Sequence, residues 1–158
     1  MNADQRLSQY LQNHGLELPA PPKVLGLYKP ALLVDRQCFL SGHLPLKADG
    51  SMIQGKIGHE IDELAGYEAA RQCGLAMLAT LKQTLQTLDR VERVIKLLGM
   101  VNCTEQFTQQ PAVVNGCSEL MKAIFGEDHG VGTRSAVGVG SLPMGVSVEV
   151  EGLFLLKQ

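Results

Sequence analysis

A stripe of mostly apolar residues between positions 62 and 88 limits the fold more than any other part of the sequence. Its members recur at alternating spacings of three and four residues, the period of an α-helix. They are Leu64, Tyr67, Arg71, Gly74, Leu78, Leu81, Leu85 and Leu88, and Asp62 ahead of them is a suitable N-cap. A helix of this length, about 40 Å, needs an apolar surface to cover. Because the stripe includes Arg71 and Gly74 and stops after about three heptads, we expect a helix lying on a sheet rather than a coiled coil.

The regions around this helix predict strands and one further helix. Short apolar runs and a longer run rich in Val, Ile and Leu are typical of strands. The predicted strands are 24–29, 31–34, 38–41, 91–103 and two within 133–158, with 91–103 in the interior of the sheet. Pro111 suits the first turn of a helix that continues to about Phe125. This order favours an α+β fold in which two helices pack on one face of a mixed, mostly antiparallel sheet.

The start of the chain is predicted to precede the domain proper. A polar helix is expected from Asn2 to Gly15, where Gly15 suits a C-cap. Pro19, Pro21 and Pro22 then favour an extended segment. We therefore expect an N-terminal helix and Pro-rich extension over 1–22, followed by a single domain over 23–158.

The composition excludes several classes of protein. At 45% hydrophobic and 19% charged, the 158-residue chain is too apolar for disorder. No run approaches the ~20 apolar residues of a membrane span, so no membrane partner is expected. The formal net charge of −2 gives no electrostatic reason to expect nucleic acid as a partner. Four cysteines, with no CxxC pair and no secretory leader ahead of them, predict reduced thiols and a cytoplasmic location.

The C-terminal segment carries the most informative motif. Residues 134–151, RSAVGVGSLPMGVSVEVE, combine Arg134, a Leu-Pro turn and Glu149. Further matching stretches are FLSG at 39–42, the strand at 91–102 and VVNG at 113–116. Together they resemble the reactive-intermediate deaminase (Rid, YjgF/UK-type, endoribonuclease L-PSP) family over nearly the whole chain after Val24. The additional N-terminal helix suggests a longer-chain branch.

The resemblance implies a chorismate-mutase-like fold, assembled as a homotrimer with small-molecule sites in the clefts between subunits. It also implies hydrolysis of reactive enamines and imines, such as 2-aminoacrylate, to 2-keto acids and ammonia. In that activity the residue matched by Arg134 holds the substrate carboxylate, and the residue matched by Glu149 works with the attacking water. Looser matches to binding positions are Tyr28, Ser41, Gly42 and Asn115. The characterised deaminase branch commonly has a Cys two residues after this Arg, and Ala136 occupies that position here.

The residues themselves agree with this chemistry if residues 142–145 close a hairpin. Gly138 then faces Glu149, and Arg134 points to the same side of the sheet. A guanidinium clamps a carboxylate with two hydrogen bonds, and a partly desolvated carboxylate serves as general acid and base, so neither a metal nor an organic cofactor is needed. Glu151 points to the same side of the sheet in this arrangement. Instead of binding a substrate, Arg134 could therefore form a purely structural salt bridge with Glu149 or Glu151.

Purely structural roles also remain possible for the other candidate residues. Tyr28 fits a strand residue with a solvated hydroxyl, Asn115 a helix cap, and Gly42 a strand end. The run at 59–63 fails HExxH because Glu63 stands at the second histidine, so no metal site is predicted. Two other functions remain alternatives: a trimeric protein that binds a small carboxylate without turnover, and, ranked last, a ribonuclease or translation inhibitor.

Overall fold

The computed structural model describes all of residues 1–158 as four helices and a five-stranded sheet. The helices are α1 (Ala3–His14), α2 (Glu63–Leu85), α3 (Gln110–Phe125) and the short α4 (Glu127–Gly130). The strands are β1 (Ala31–Val34), β2 (Gln37–His43), β3 (Val91–Asn102), β4 (Thr133–Val139) and β5 (Val148–Leu156).

The sheet has the order β1-β2-β5-β3-β4. Only β3 and β4 run parallel, and every other pair is antiparallel. Both α2 and α3 pack on one face of the sheet. The predicted α+β class, the mixed and mostly antiparallel sheet, the two helices on one face and the interior position of β3 are therefore confirmed.

The long helix predicted from the apolar stripe is confirmed as α2. Asp62 is its N-cap, and its side chain accepts a hydrogen bond of 2.8 Å from the Ala65 amide. Every residue from Leu75 to Leu81 is buried, which is more than one stripe requires, because α2 packs on the sheet and on α3 together. The helices approach closely at Gly116, where a Cβ would overlap the Tyr67 carbonyl.

The predicted hairpin between the last two strands is wrong. Strands β4 and β5 do not pair with each other; β3 lies between them and pairs with both. The connection from β3 through α3 to β4 is a crossover, which makes β4 parallel to β3. Met100 therefore separates Glu149 from Val137, and Leu97 separates Arg134 from Gly152.

The strand predicted at 24–29 does not form, and these residues take an irregular path. The segment is flanked by prolines, which donate no backbone hydrogen bond to a neighbouring strand. The end of the segment is attached to β2 at Ser41, whose amide donates a 3.0 Å hydrogen bond to the Pro30 carbonyl and whose hydroxyl donates one to the Lys29 carbonyl. Leu25 and Leu27 are exposed as a result.

The predicted N-terminal helix is confirmed as α1. Asn2 forms a capping box with Gln5, and Gly15 ends the helix in the left-handed conformation at φ 60°. The helix packs on α3, and its Ala3 and Leu7 belong to the buried core. The four cysteines are all free and buried.

The second face of the sheet carries no helix. Strand residues alternate between the two faces, so the residues next to buried core positions point to this open face. Its largest exposed apolar side chains are Leu32, Val34, Phe39 and Val137, which are 41–48% exposed.

Candidate functional site

Glu149 lies on the open face of the sheet near the end of β2. Its neighbours in sequence, Val148 and Val150, are fully buried on the helix face, so the alternation of β5 sends Glu149 the other way. There it borders a pocket of about 480 Å³. We call this the Glu149 pocket; its residues are Leu25, Tyr28, Ser41, Gly42, Leu44, Pro143, Met144 and Glu149. Burial first, and the Glu151 carboxylate second, raise the pKa of Glu149.

Gly42 makes room for the Glu149 side chain. A Cβ at position 42 would overlap Glu149 Oε1 and would lie 2.8 Å from Cδ and 3.1 Å from Cγ. The pairing of β2 with β5 is irregular between Leu40 and His43, so the strand bulges at this point. The glycine is therefore required by close approach rather than by a turn, which corrects the interpretation of Gly42 as a simple strand end.

Ser41 and His43 fix the two sides of this bulge. The Ser41 hydroxyl donates a 2.6 Å hydrogen bond to the Lys29 carbonyl and so holds the segment that carries Tyr28. The His43 Nδ1 donates to the Ser41 carbonyl at 2.6 Å, and its Nε2 lies 2.7 Å from the Thr80 hydroxyl of α2. Burial lowers the pKa of His43, partly offset by the bond to Ser41.

The loop between β4 and β5 forms another wall of the Glu149 pocket. Met144 adopts a left-handed conformation at φ 55°. This conformation is uncommon for a residue with a side chain, and neighbouring bonds stabilise it. The Gln54 side chain donates a 2.6 Å hydrogen bond from Nε2 to the Met144 carbonyl, and the Gly55 backbone amide donates one of 3.0 Å to the Gly145 carbonyl.

Arg134 lies on the helix face, beneath the first turns of α3. Its Nη1 donates to Asn115 Oδ1 at 2.7 Å and to Ser118 Oγ at 3.1 Å, and its Nη2 donates to the Pro111 carbonyl at 3.4 Å. We call these four residues the Arg134 cluster. No carboxylate pairs with the guanidinium within the chain, so the salt bridge to Glu149 or Glu151 is excluded. Of its five N–H donors, Nε–H and one on Nη2 remain free.

The predicted site residues form two groups on opposite faces of the sheet. Tyr28, Ser41, Gly42 and Glu149 come together in the Glu149 pocket, and Asn115 joins Arg134 in the Arg134 cluster. Arg134 pairs with Leu97 of β3, and Glu149 pairs with Met100 of the same strand. That offset of three residues is about 10 Å along the strands. The expectation that Arg134 and Glu149 point to one side of the sheet is therefore wrong for a single chain.

The structure also adds residues that the sequence analysis did not select. Ser118 follows Asn115 by three positions on α3, so helical spacing places both on one face. Asn115 lies inside α3 and bonds to Arg134, which rules out its interpretation as a helix cap. His43 has no motif around it, and its contact with Thr80 depends on packing between distant segments.

Two further classes of site have no support in the structure. No group of three or more His, Cys, Asp or Glu side chains lies close enough to hold a metal ion. None of the helices is both long enough and apolar enough to span a bilayer.

Residues 8–148 match the protein family described as "YjgF/chorismate_mutase-like, putative endoribonuclease". The chain belongs to this family. The family resemblance drawn from the C-terminal motif is thereby confirmed, and the chorismate-mutase-like fold with it. The match extends back into α1, so the family pattern includes part of the N-terminal helix.

Several known proteins are similar to this chain over almost its full length. Protein TCP17 of Trypanosoma cruzi is 38% identical over 155 residues, 98% of this chain and 97% of that protein. The crystal structure of Atu1372 from Agrobacterium tumefaciens, a protein of unknown function, is 32% identical with a TM-score of 0.89, covering 98% of this chain and 96% of that one. A "putative endoribonuclease" from Shewanella oneidensis is 29% identical with a TM-score of 0.90, covering 99% and 100%.

Proposed function

We propose that this protein hydrolyses 2-imino acids at their C=N bond to 2-keto acids and ammonia, including the imines that form when enamines such as 2-aminoacrylate tautomerise. The observation that carries the proposal is the state of Arg134. Its guanidinium is held in place by three neutral acceptors and keeps two N–H donors free. A planar cation positioned in this way, without a carboxylate of its own chain, is suited to bind the carboxylate of a small acid.

Glu149 is the proposed general base and acid. Its carboxylate takes a proton from water as the water oxygen bonds to the imine carbon, and Glu149 then gives this proton to the nitrogen, which leaves a carbinolamine and an ionised Glu149. Glu149 then transfers the hydroxyl proton of the carbinolamine to the nitrogen; the C–N bond breaks and ammonia leaves. The raised pKa of Glu149 supports both directions of proton transfer, because a carboxyl group whose pKa is closer to neutral pH accepts and returns a proton more readily. All atoms come from substrate and water, so the reaction needs no cofactor.

A complete site requires a second copy of the chain. Arg134 and Glu149 lie on opposite faces of one sheet, so one substrate cannot touch both within one chain. We propose that the Arg134 cluster of one subunit faces the Glu149 pocket of the next in a homotrimer. The exposed apolar side chains of the open face, such as Phe39 and Val137, support an assembly that covers this face. Light scattering then gives about 51 kDa for three chains of 17.1 kDa, whereas a 17.1 kDa species contradicts the shared site.

The activity is tested by generating 2-aminoacrylate with a serine or threonine dehydratase and following keto-acid release. We expect acceleration by the wild type and a loss of about 10²-fold or more in Arg134→Ala and Glu149→Gln. If the wild type gives no acceleration, the deaminase proposal fails for this substrate. Equal rates for Arg134→Ala and the wild type contradict the carboxylate clamp.

A binding protein without turnover is the second candidate, and one observation favours it. Ala136 stands where a Cys is common in the deaminase branch, two residues after Arg134, and it packs against the core. Calorimetry with pyruvate separates the two candidates in the same samples. Binding that is lost in Arg134→Ala, together with no acceleration in the dehydratase assay, identifies a binding protein.

A further inference from the structure

Thr80 is a polar residue in an apolar part of α2. Every other residue from Leu75 to Leu81 is apolar, and the whole run is buried. A buried hydroxyl costs free energy unless it forms a hydrogen bond, and valine would fill nearly the same space without that cost. The hydrogen-bond partner of the Thr80 hydroxyl is His43 Nε2, at 2.7 Å. Packing alone therefore does not explain a threonine at this position.

The two hydrogen bonds of His43 run in one direction. The Ser41 carbonyl can only accept, so the proton between them is on His43 Nδ1, 2.6 Å away. Burial lowers the pKa of His43 and keeps the ring neutral near pH 7, so Nε2 accepts from the Thr80 hydroxyl. His43 also borders a cavity of about 430 Å³, so its neighbours do not enclose it on every side. Val24, Leu46 and Met52 are among the residues that line this cavity.

The Ser41 carbonyl belongs to the part of β2 that bulges. Between the pairings of Leu40 and His43 with β5, Ser41 and Gly42 stand opposite a single β5 residue. The ladder of hydrogen bonds is interrupted at such a point, so other groups must hold the backbone. The bond from His43 fixes the Ser41 carbonyl, which is part of the planar peptide unit that leads into Gly42. Thr80 and His43 therefore orient this peptide unit from the helix face.

Gly42 connects the bulge to the open face. A Cβ at Gly42 would lie 2.8 Å from Glu149 Cδ, so the glycine backbone and this carboxyl group approach closely. We propose that His43 and Thr80 are positioning residues for Glu149: they hold the Gly42 backbone against its side chain and so keep the carboxylate at one place in the Glu149 pocket. The inference rests on the proposed role of Glu149 as general base and acid, and it adds the residues that position it.

Thr80→Val tests the pair by removing one hydroxyl. The change leaves His43 Nε2 without a donor, so the ring and the bulge lose their fixed orientation. We expect kcat for imine hydrolysis to fall about 10-fold, because the carboxylate is displaced, and KM to stay within about 2-fold, because Arg134 still binds the substrate. Thr80→Ser restores the hydroxyl and keeps kcat within about 3-fold of the wild type.

A double variant separates positioning from stability. His43→Leu lowers kcat by about the same 10-fold, and adding Thr80→Val lowers it no further, because the two residues act through one chain of hydrogen bonds. The double variant is more stable in urea than Thr80→Val alone, since no ring nitrogen is left unpaired in the core. A purely structural role predicts instead that kcat recovers together with the free energy of unfolding.

Gln72→Met is the matched control on the same helix. Gln72 is also buried, and its Nε2 donates a 2.5 Å hydrogen bond to the Leu46 carbonyl in the loop after β2. Leu46 does not border the Glu149 pocket. The variant therefore loses a bond from α2 to a loop but retains the kcat and KM of the wild type.

An NMR titration of the Glu149 carboxyl group gives a second readout that needs no activity. Burial raises the pKa of Glu149, so a carboxylate released toward water has a pKa closer to the ordinary value of glutamate. We expect this decrease in Thr80→Val and in the double variant, and the wild-type pKa in Gln72→Met. Glu149→Gln identifies the signal by its loss.

The outcomes separate this inference from the proposed function. Wild-type kcat in both Thr80→Val and the double variant, or a kcat in Gln72→Met as low as in Thr80→Val, overturns the positioning role and leaves imine hydrolysis standing. Thr80→Ser that is as slow as Thr80→Val overturns it as well. If the wild type hydrolyses no imine, the proposed function fails, and the titration still decides the inference: a decrease in the pKa of Glu149 supports it, and an unchanged pKa in both variants overturns it.

Discussion

Gly42→Ala tests the proposed role of Glu149 without removing its carboxylate. An added Cβ overlaps Glu149 Oε1 and comes within 2.8 Å of Cδ, whereas ordinary contacts of a Cβ begin near 3.4 Å. The carboxylate must therefore move on the order of 1 Å, and a misplacement of this size costs about 10²-fold in rate. That loss corresponds to about 2.7 kcal/mol of activation free energy.

The free energy of unfolding changes much less in Gly42→Ala. The obstacle is the end of a flexible side chain, and Gly42 does not have a positive φ. We expect a change within about 1 kcal/mol, because the smaller entropy of the unfolded alanine chain offsets part of the strain. Urea unfolding of the variant and the wild type measures this difference.

The assay is keto-acid release from 2-aminoacrylate, with a glycine variant as the matched control. Gly140→Ala places its Cβ in open space with nothing within 4 Å, so its kcat remains at the wild-type value. In a Glu149→Gln background, Gly42→Ala costs less than 10-fold further, because the displaced group no longer acts as a base. A full 10²-fold loss in that background, or wild-type kcat in the single variant, refutes the reasoning.

Three further predictions concern stability and binding. Asp4→Ala lowers the free energy of unfolding by about 1–2 kcal/mol at pH 7, since Asp4 accepts from Lys82 Nζ at 2.6 Å and Thr87 Oγ1 at 2.5 Å. Burial opposes ionisation of Asp4, but these bonds outweigh it and lower its pKa, so the contribution disappears as urea titrations move to acid pH. The raised pKa of Glu149 has the opposite effect on stability: Glu149→Gln is more stable than the wild type at pH 8, by up to about 1 kcal/mol for a partly exposed group. This advantage decreases as the pH falls through the raised pKa and is gone below the pKa of the unfolded chain. Ser118→Ala removes one acceptor of Arg134 and raises KM about 3- to 10-fold with little change in kcat.

The elements with strong local signals were predictable from the sequence. The period of α2, its Asp62 cap, the capped ends of α1 and the proline at the start of α3 are all set by neighbouring residues. The pairing of β4 was not predictable in the same way. Two extended runs joined by a short loop resemble a hairpin locally, but long-range pairing with β3 and the crossover through α3 decide the arrangement.

The candidate site was predictable in its residues and not in its arrangement. The motif selected Arg134 and Glu149, and the structure places each among other selected residues. The error about their common side follows directly from the wrong hairpin, because β3 stands between their strands. The cavity lined by Val24, Leu46 and Met52 has no sequence signature, since these residues lie in loops outside the helices and the five strands of the sheet.

The central claim is that two chains build one site, and mixed assemblies of two inactive variants test it most directly. Arg134→Ala retains Glu149, and Glu149→Gln retains Arg134, so each variant alone lacks a complete site. If the subunits mix at random in equal amounts, about one quarter of the shared sites combine an intact Arg134 with an intact Glu149. We predict that coexpressed variants recover about one quarter of wild-type keto-acid release. Mixed assemblies that stay as inactive as the separate variants contradict the account.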